Sequence, residues 1–338
     1  MGIDPKWQDT LSNIANHGLS AGTWSSYKTA LKALGRCSAD SGVSMEFPLN
    51  HKQVLTFVAW MSKRNLTQKT INVYLAGIRQ CHLTEGVDLP ILRTPVVSLV
   101  LEGQKRLDAI KKQDGEDSSR LPVTPTMLKL FKHEIKLSDE PSEDKLLIWA
   151  VATLAFNGGF RIHELLAHKI SSFDPRHTLL AQDVARKTIK IRNKEVTILQ
   201  ITLKSQKTDK SGSKVIVDVY ESKGPLCPIR AYDKWRRLCP STSNKKPAFM
   251  NSQGKPFTGK KFNQTLKKYL GKHVAYTGRR VTSHSFRYGI ASLMGELGYG
   301  DSEIMAVGRW SSRAFEEYLK LPRTKRLEMA KKLGELNL

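Results

Sequence analysis

Apolar positions in the first hundred residues recur at helical spacing. Trp24, Tyr27, Leu31 and Leu34 form one stripe, which ends near Gly42. Asn50, with Gln53 three residues on, reads as a capping box opening a helix whose apolar face is Val54, Phe57, Val58 and Met61. A third helix begins at Thr67 and turns Ile71, Tyr74, Leu75 and Ile78 to one side. A fourth segment, Val96 to Lys105, follows a proline-containing link at 90–95. Short helices with brief connections predict a small bundle over residues 6–105, its aromatic residues serving as core. Residues 106–122 are polar, charged and punctuated by Gly and Pro, and read as a linker.

From 123 to 338 the pattern changes period twice. Helical segments at Pro125–Lys136 and Ser142–Phe156 precede a β interval. Thr188–Ile191, Val196–Lys204 and Lys214–Tyr220 are rich in Val, Ile and Thr and predict a three-stranded antiparallel meander. Helical spacing returns from Pro228 through Asn263–Tyr269, Ser283–Leu297, Ser302–Val307 and Arg313–Leu319. A tail from about 322, with Leu327, Met329, Leu333 and Leu336, reads as an amphipathic helix. The expected fold is mainly α with a small antiparallel sheet: a helical bundle followed by a mixed α/β domain.

Composition narrows the function. The 338 residues carry 55 basic and 31 acidic side chains, a formal charge of +24. The excess is uneven, with 15 basic and 11 acidic residues in 1–120 against 40 and 20 in 121–338. Such a surface repels itself unless a polyanion covers it, which favours nucleic acid over an anionic membrane. Hydrophobic residues at 40% exclude general disorder. No run of eighteen apolar residues and no N-terminal apolar h-region occurs, which argues against a membrane span or secretory signal. Cys37, Cys81, Cys227 and Cys239 form no CxxC pair, so reduced thiols are expected and no zinc or other metal site.

Four clusters place polar residues where the surroundings do not require them. In Gly158-Gly159-Phe160-Arg161-Ile162-His163-Glu164-Leu165, Arg161 and Glu164 lie one turn apart between apolar neighbours; a partly buried arginine needs an anion, which Glu164 could supply as a structural ion pair or a ligand could supply instead. In Ser283-His284-Ser285-Phe286-Arg287, Ser283 is a candidate N-cap, which sets His284 and Arg287 on one face of a first turn, a good receptor for phosphate. Lys207 lies in the turn between two expected strands. Tyr318 lies on a short helix after Gly308-Arg309-Trp310.

The order Arg…Lys…His-x-x-Arg…Gly-x(9)-Tyr behind a helical bundle resembles the tyrosine site-specific DNA recombinases. The phrases Gly-Phe-Arg-Ile-His-Glu-Leu and Gly-Arg-Trp-Ser-Ser…Tyr-Leu are most similar to recombinases of eukaryotic mobile elements, of the DIRS-like and Crypton kinds. The resemblance implies a core-binding, DNA-clamping bundle, a catalytic domain of the DNA breaking-rejoining fold, and double-stranded DNA as substrate. It makes Tyr318 the nucleophile, leaving a 3′-phosphotyrosyl link and a free 5′-hydroxyl. Arg161 and Arg287 would hold the non-bridging oxygens, as planar bidentate donors suit. Lys207 would protonate the leaving oxygen, and His284 would bond the phosphate or help deprotonate the tyrosine. Glu164 would orient the His284–Arg287 pair. No cofactor is implied, because one diester is exchanged for another.

Many members carry His or Trp nine residues before the tyrosine. Here that position is Arg309, with Trp310 eight before. Either Trp310 packs beside the phosphate, the reading we favour, or Arg309 supplies a third cation. His163 is a candidate by proximity only and is expected to be exposed. Lys260, Lys261, Lys267, Lys268, Lys272, Arg279 and Arg280 would hold DNA phosphates. The tail would dock on a neighbouring protomer, implying a tetramer on two duplexes, and the resemblance with the basic charge implies a nuclear location. Two other readings remain: a catalytically silent sequence-specific DNA-binding protein, and a type IB topoisomerase that relaxes DNA by the same covalent step.

Overall fold

A computed structural model describes residues 18–310 except 85, 114–119, 172, 205–213, 241–242, 272 and 274–279, together with residues 7, 10, 13 and 14. The chain divides into two compact units, Met1–Asp117 and Ser118–Leu338.

Among the described residues of the first unit, helices run in the order α1 Ala21–Ser41, α2 His51–Lys63, α3 Gln68–Thr84 and α4 Pro95–Gln113, with a 3-10 turn at Pro90–Arg93. The Ser20 hydroxyl caps α1 by accepting from Thr23 N, and Gly42 closes it. Asn50 and Gln53 form the expected capping box on α2, whose buried residues are Val54, Phe57, Val58 and Met61. The stripe on α1 is rotated from the expected one: Ala30, Ala33, Leu34 and Cys37 are buried while Leu31 is exposed. Small alanine side chains let that face approach the core closely, which the bulkier Leu31 would not. His82 is buried in α3; its Nδ1 meets the Ile78 carbonyl at 2.8 Å and its Nε2 accepts from Leu49 N at 3.0 Å.

The expected linker at 106–122 is shorter than its polarity suggested. α4 continues to Gln113, and Asp108 holds it by accepting from Gln68 N and Gln104 Nε2. Straight-chain charged residues favour helix, so polarity alone does not end one. At the other end, Leu121 N donates to the Arg280 carbonyl within the second unit.

The second unit is built around α6 Ser142–Asn157, buried on every side from Leu147 to Phe156, as a helix surrounded by other elements must be. Around it lie α5 Pro125–Leu137, the single-turn α7 Ile162–Leu165, and a sheet of β1 Val184–Ile191, β2 Lys194–Leu203 and β3 Val215–Tyr220. The sheet is the expected antiparallel meander, in the order β1-β2-β3. Its first two strands are longer than their Val/Ile/Thr content indicated and meet in a two-residue turn, with Arg192 and Asn193 both at positive φ. The remaining helices are α8 Pro228–Leu238, α9 Gly259–Leu270, α10 His284–Glu296 and α11 Asp301–Gly308. Ser283 occupies the N-cap position of α10 but its side chain does not cap; the Ser285 hydroxyl instead accepts from Thr282 N. No cysteine is in a disulfide. Among the described residues no helix is long and apolar enough to cross a membrane.

Candidate functional site

The buried helix α6 ends at Asn157 and delivers a tight reversal through Gly158 and Gly159. Gly159 stands at φ 55, a conformation that disfavours a side chain, and a Cβ there would lie 3.3 Å from the Val307 carbonyl oxygen. Phe160 then drops wholly into the core. Burial of a phenylalanine contributes roughly 1.5–3 kcal/mol, enough to hold the backbone of its neighbour in place. That neighbour is Arg161. Its backbone N–H donates to Glu164 Oε2 and its Nη1 to Glu164 Oε1, both at 2.8 Å, so the two residues close α7 on itself.

Among the described residues Glu164 is the acidic partner bonded to these arginines. Burial opposes its ionisation, but Arg309 and Arg161 more than offset this and hold its carboxyl below the usual value. Its second oxygen accepts from Arg309 Nη2 at 2.8 Å. The carboxylate thus bridges Arg161 and Arg309 rather than bonding the His284–Arg287 pair. Arg287 gives two of its five N–H donors to main-chain oxygens instead: Nη1 reaches the Gly159 carbonyl at 2.7 Å and Nη2 the Arg309 carbonyl at 3.4 Å.

Arg287 is 3% exposed. It sits on α10 next to the fully buried Phe286, and its guanidinium carbon lies 4.4 Å from the centroid of the Trp310 ring. Burial first, and Arg161 beside it, push its pKa down to about 9, with Glu164 pulling the other way. Trp310 reaches this place because residue 308 is glycine; a Cβ there would lie 1.6 Å from the indole. Arg309 points inward, not toward a ligand. Its backbone is left-handed at φ 51, and its terminal nitrogens donate to the carbonyls of Gly158, Val307 and Gly159 as well as to Glu164. Arg309, the alternative to Trp310 in the sequence reading, is therefore bound to protein groups, and the indole lies beside Arg287.

His284 opens α10 and is exposed. It lines a cleft of about 550 Å³ together with Arg120, Asn263, Lys267, Arg280 and Ser283. Of the basic residues read as phosphate contacts, Lys267 and Arg280 thus line one cleft with His284. Lys260 and Lys261 line a separate depression, and Lys268 is paired with Glu140 at 3.7 Å and lies 5.0 Å over the Tyr269 ring. Arg120 escaped sequence reasoning because it lay in the segment read as linker; its Nη1 donates to the Tyr288 hydroxyl at 3.1 Å. His163 is exposed, and its ring stacks on His168 at 4.2 Å. Desolvation, then His168 and His284, push it down to about 4, so it is neutral at physiological pH. Lys207, Lys272, Arg279 and Tyr318, with the tail, lie outside the described residues.

Residues 6–83 match the family described as the phage integrase N-terminal SAM-like domain. No match is found among curated proteins. Solved structures of tyrosine recombinases share the fold. The Tn1549 transposon integrase in complex with transposon right end DNA is 14% identical, with a TM-score of 0.58 covering 95% of this chain and 97% of that one. The XerH site-specific recombinase bound to a palindromic difH substrate is 13% identical, with a TM-score of 0.59 covering 92% and 80%. A lambda integrase dimer bound to a core site is 15% identical, with a TM-score of 0.55 covering 93% and 76%. The fold is therefore that of the tyrosine recombinases, mainly α with a small antiparallel sheet.

Proposed function

We propose that this chain is a tyrosine recombinase that breaks and rejoins DNA strands through a 3′-phosphotyrosyl intermediate. The observation that carries the reading is positive charge without matching counter-charge. Arg161, Arg287 and Arg309 gather about one buried carboxylate, Glu164, and His284, three residues before Arg287, lines a basic cleft. Among the described residues these three guanidinium groups share that one carboxylate, and a phosphodiester that gains negative charge as it is attacked would balance the excess. The DNA in the related recombinase structures supports the same substrate class.

In this reading the Tyr318 phenol gives up its proton, to His284 or to water, as its oxygen attacks phosphorus and the bond to the 5′-oxygen breaks. Arg161 and Arg287 stabilise the charge on the non-bridging oxygens, and His284 bonds the same phosphate from the start of α10. Lys207 donates the proton that the departing 5′-oxygen takes up. Trp310 packs on Arg287 and shields it from water. Attack by a 5′-hydroxyl on the phosphotyrosine reverses the sequence and reseals the strand. The roles of Lys207 and Tyr318 are assigned from their order in the chain. The Gly-Arg-Trp-Ser-Ser…Tyr-Leu phrase supports a place among recombinases of eukaryotic mobile elements, acting in the nucleus as a tetramer joined through the tail.

The test begins with Tyr318→Phe, immobilised to select its target from a random duplex pool. A nicked suicide duplex of the selected sequence should trap a covalent adduct on the wild-type chain and none on Tyr318→Phe, with equal DNA affinity. An adduct on the variant overturns the assignment of the nucleophile. Relaxation of supercoiled DNA lacking the selected site would favour the topoisomerase reading instead.

A further inference from the structure

We infer that Arg309 is a positioning residue that locks the Arg161 turn to the Arg287 helix, so that two guanidinium groups far apart in sequence face one phosphate. The geometry stands independently of the recombinase reading; only the consequence for cleavage rests on it.

Arg309 cannot serve as a phosphate ligand in this arrangement. Its side chain is 10% exposed, its Nη1 donates to the carbonyls of Gly158 at 2.9 Å and Val307 at 3.2 Å, and its Nη2 donates to Gly159 O at 3.2 Å and Glu164 Oε2 at 2.8 Å. One face of the guanidinium lies 4.9 Å from the Phe160 ring. Its Nε is buried without a partner. Burial draws its pKa down while Glu164 draws it up, so the ion pair is what keeps a charge in this interior.

What it touches is what the other two arginines touch. Glu164 gives one oxygen to Arg161 and the other to Arg309. The Gly159 carbonyl accepts from both Arg287 and Arg309, and the Arg309 carbonyl itself accepts from Arg287. The Glu164 carboxylate, the Gly159 carbonyl and the Arg309 carbonyl therefore tie the Arg161 turn, α10 and the end of α11 together, with the Glu164–Arg309 contact spanning 145 positions. The left-handed backbone at φ 51, ψ 49 turns the side chain back beneath the α6–α7 reversal, a conformation that a residue with a Cβ adopts only where its surroundings compensate. Lysine would carry the charge to Glu164 but could not fan four donors to three carbonyls and a carboxylate.

The test compares the full chain with Arg309→Met and Arg309→Lys. Single-turnover cleavage of the suicide duplex should slow by ~30- to 100-fold in Arg309→Met, as expected for small misplacement of reacting groups, while DNA affinity changes within about 3-fold. Arg309→Lys should fall between. Without DNA, hindered rotation of the Arg161 and Arg287 guanidinium groups, read from their nitrogen resonances, should be released in Arg309→Met. Unchanged cleavage, or equal loss of binding and cleavage, overturns the inference. If the wild type forms no adduct, the recombinase reading fails, and the resonances alone decide: rotation that stays hindered in the variant overturns the positioning role. Should Arg309→Met not fold, Arg309→Lys decides, wild-type cleavage with hindered rotation overturning the role and slowed cleavage with freed rotation supporting it.

Discussion

The guanidinium of Arg287 and the indole of Trp310 lie face to ring at 4.4 Å, with Arg287 almost wholly enclosed. A buried cation has few ways to remain charged, and a π face is one that does not neutralise it, leaving the charge available to a ligand. A desolvated contact of this kind contributes about 2 kcal/mol. Replacing Trp310 with alanine should therefore slow single-turnover cleavage by about 30-fold. Trp310→Phe should retain most of the rate, since it keeps a π face. Equal rates for the alanine variant and the wild type would show that the indole is only filler.

Arg287 also predicts an anion effect. Its folded pKa, about 9, lies well below the ordinary arginine value, so the folded chain binds this proton less readily than the unfolded one. The penalty is fully present below pH 9 and is relieved as pH rises above it. Near neutrality only a bound anion relieves it. Vanadate or sulfate should raise the unfolding temperature, with stabilisation of about 2.7 kcal/mol at a hundred times Kd. Arg287→Met and Arg161→Met should each lose most of this gain in a thermal melt. Both should also lose cleavage by far more than DNA affinity, as transition-state contacts do.

Glu164 governs the acid limb. Its folded pKa lies below the ordinary 4.5, so the stability it contributes is fully present above 4.5 and is lost as pH falls through the folded value. Glu164→Gln leaves two partly buried guanidinium groups without their carboxylate and should cost about 2–3 kcal/mol at pH 7. The gap between the variant and the wild type should narrow steadily below pH 4.5. A constant gap in denaturant unfolding across that range would show that the carboxylate is not the ionised hub.

Lysines on α9 should separate by geometry. Lys267→Ala and Arg280→Ala remove charges lining the His284 cleft, and each should reduce the slope of log affinity against log salt by about 1. Lys268→Ala should leave the slope nearly unchanged, because Glu140 already neutralises that ammonium. Filter binding or anisotropy across a salt series reads all three.

What the sequence by itself determined about this protein is local. The capping box at Asn50 and Gln53, the face Val54–Phe57–Val58–Met61, the helical span of α6 and the antiparallel order of three strands all follow from periods of 3.6 and 2 and from cap chemistry acting within a few residues. The pairing of Arg161 with Glu164, three positions apart, belongs to the same class. Tertiary structure alone decided the rest. Arg309 turns inward because a left-handed residue carries it back toward a carboxylate 145 positions earlier, while Arg287 gives donors to two carbonyls instead. Lys268 is neutralised by Glu140, and Arg120 joins the cleft through a bridge to Arg280. Main-chain oxygens and distant partners leave no mark on hydrophobic spacing, because side-chain type records burial and local propensity but not which remote group will meet it.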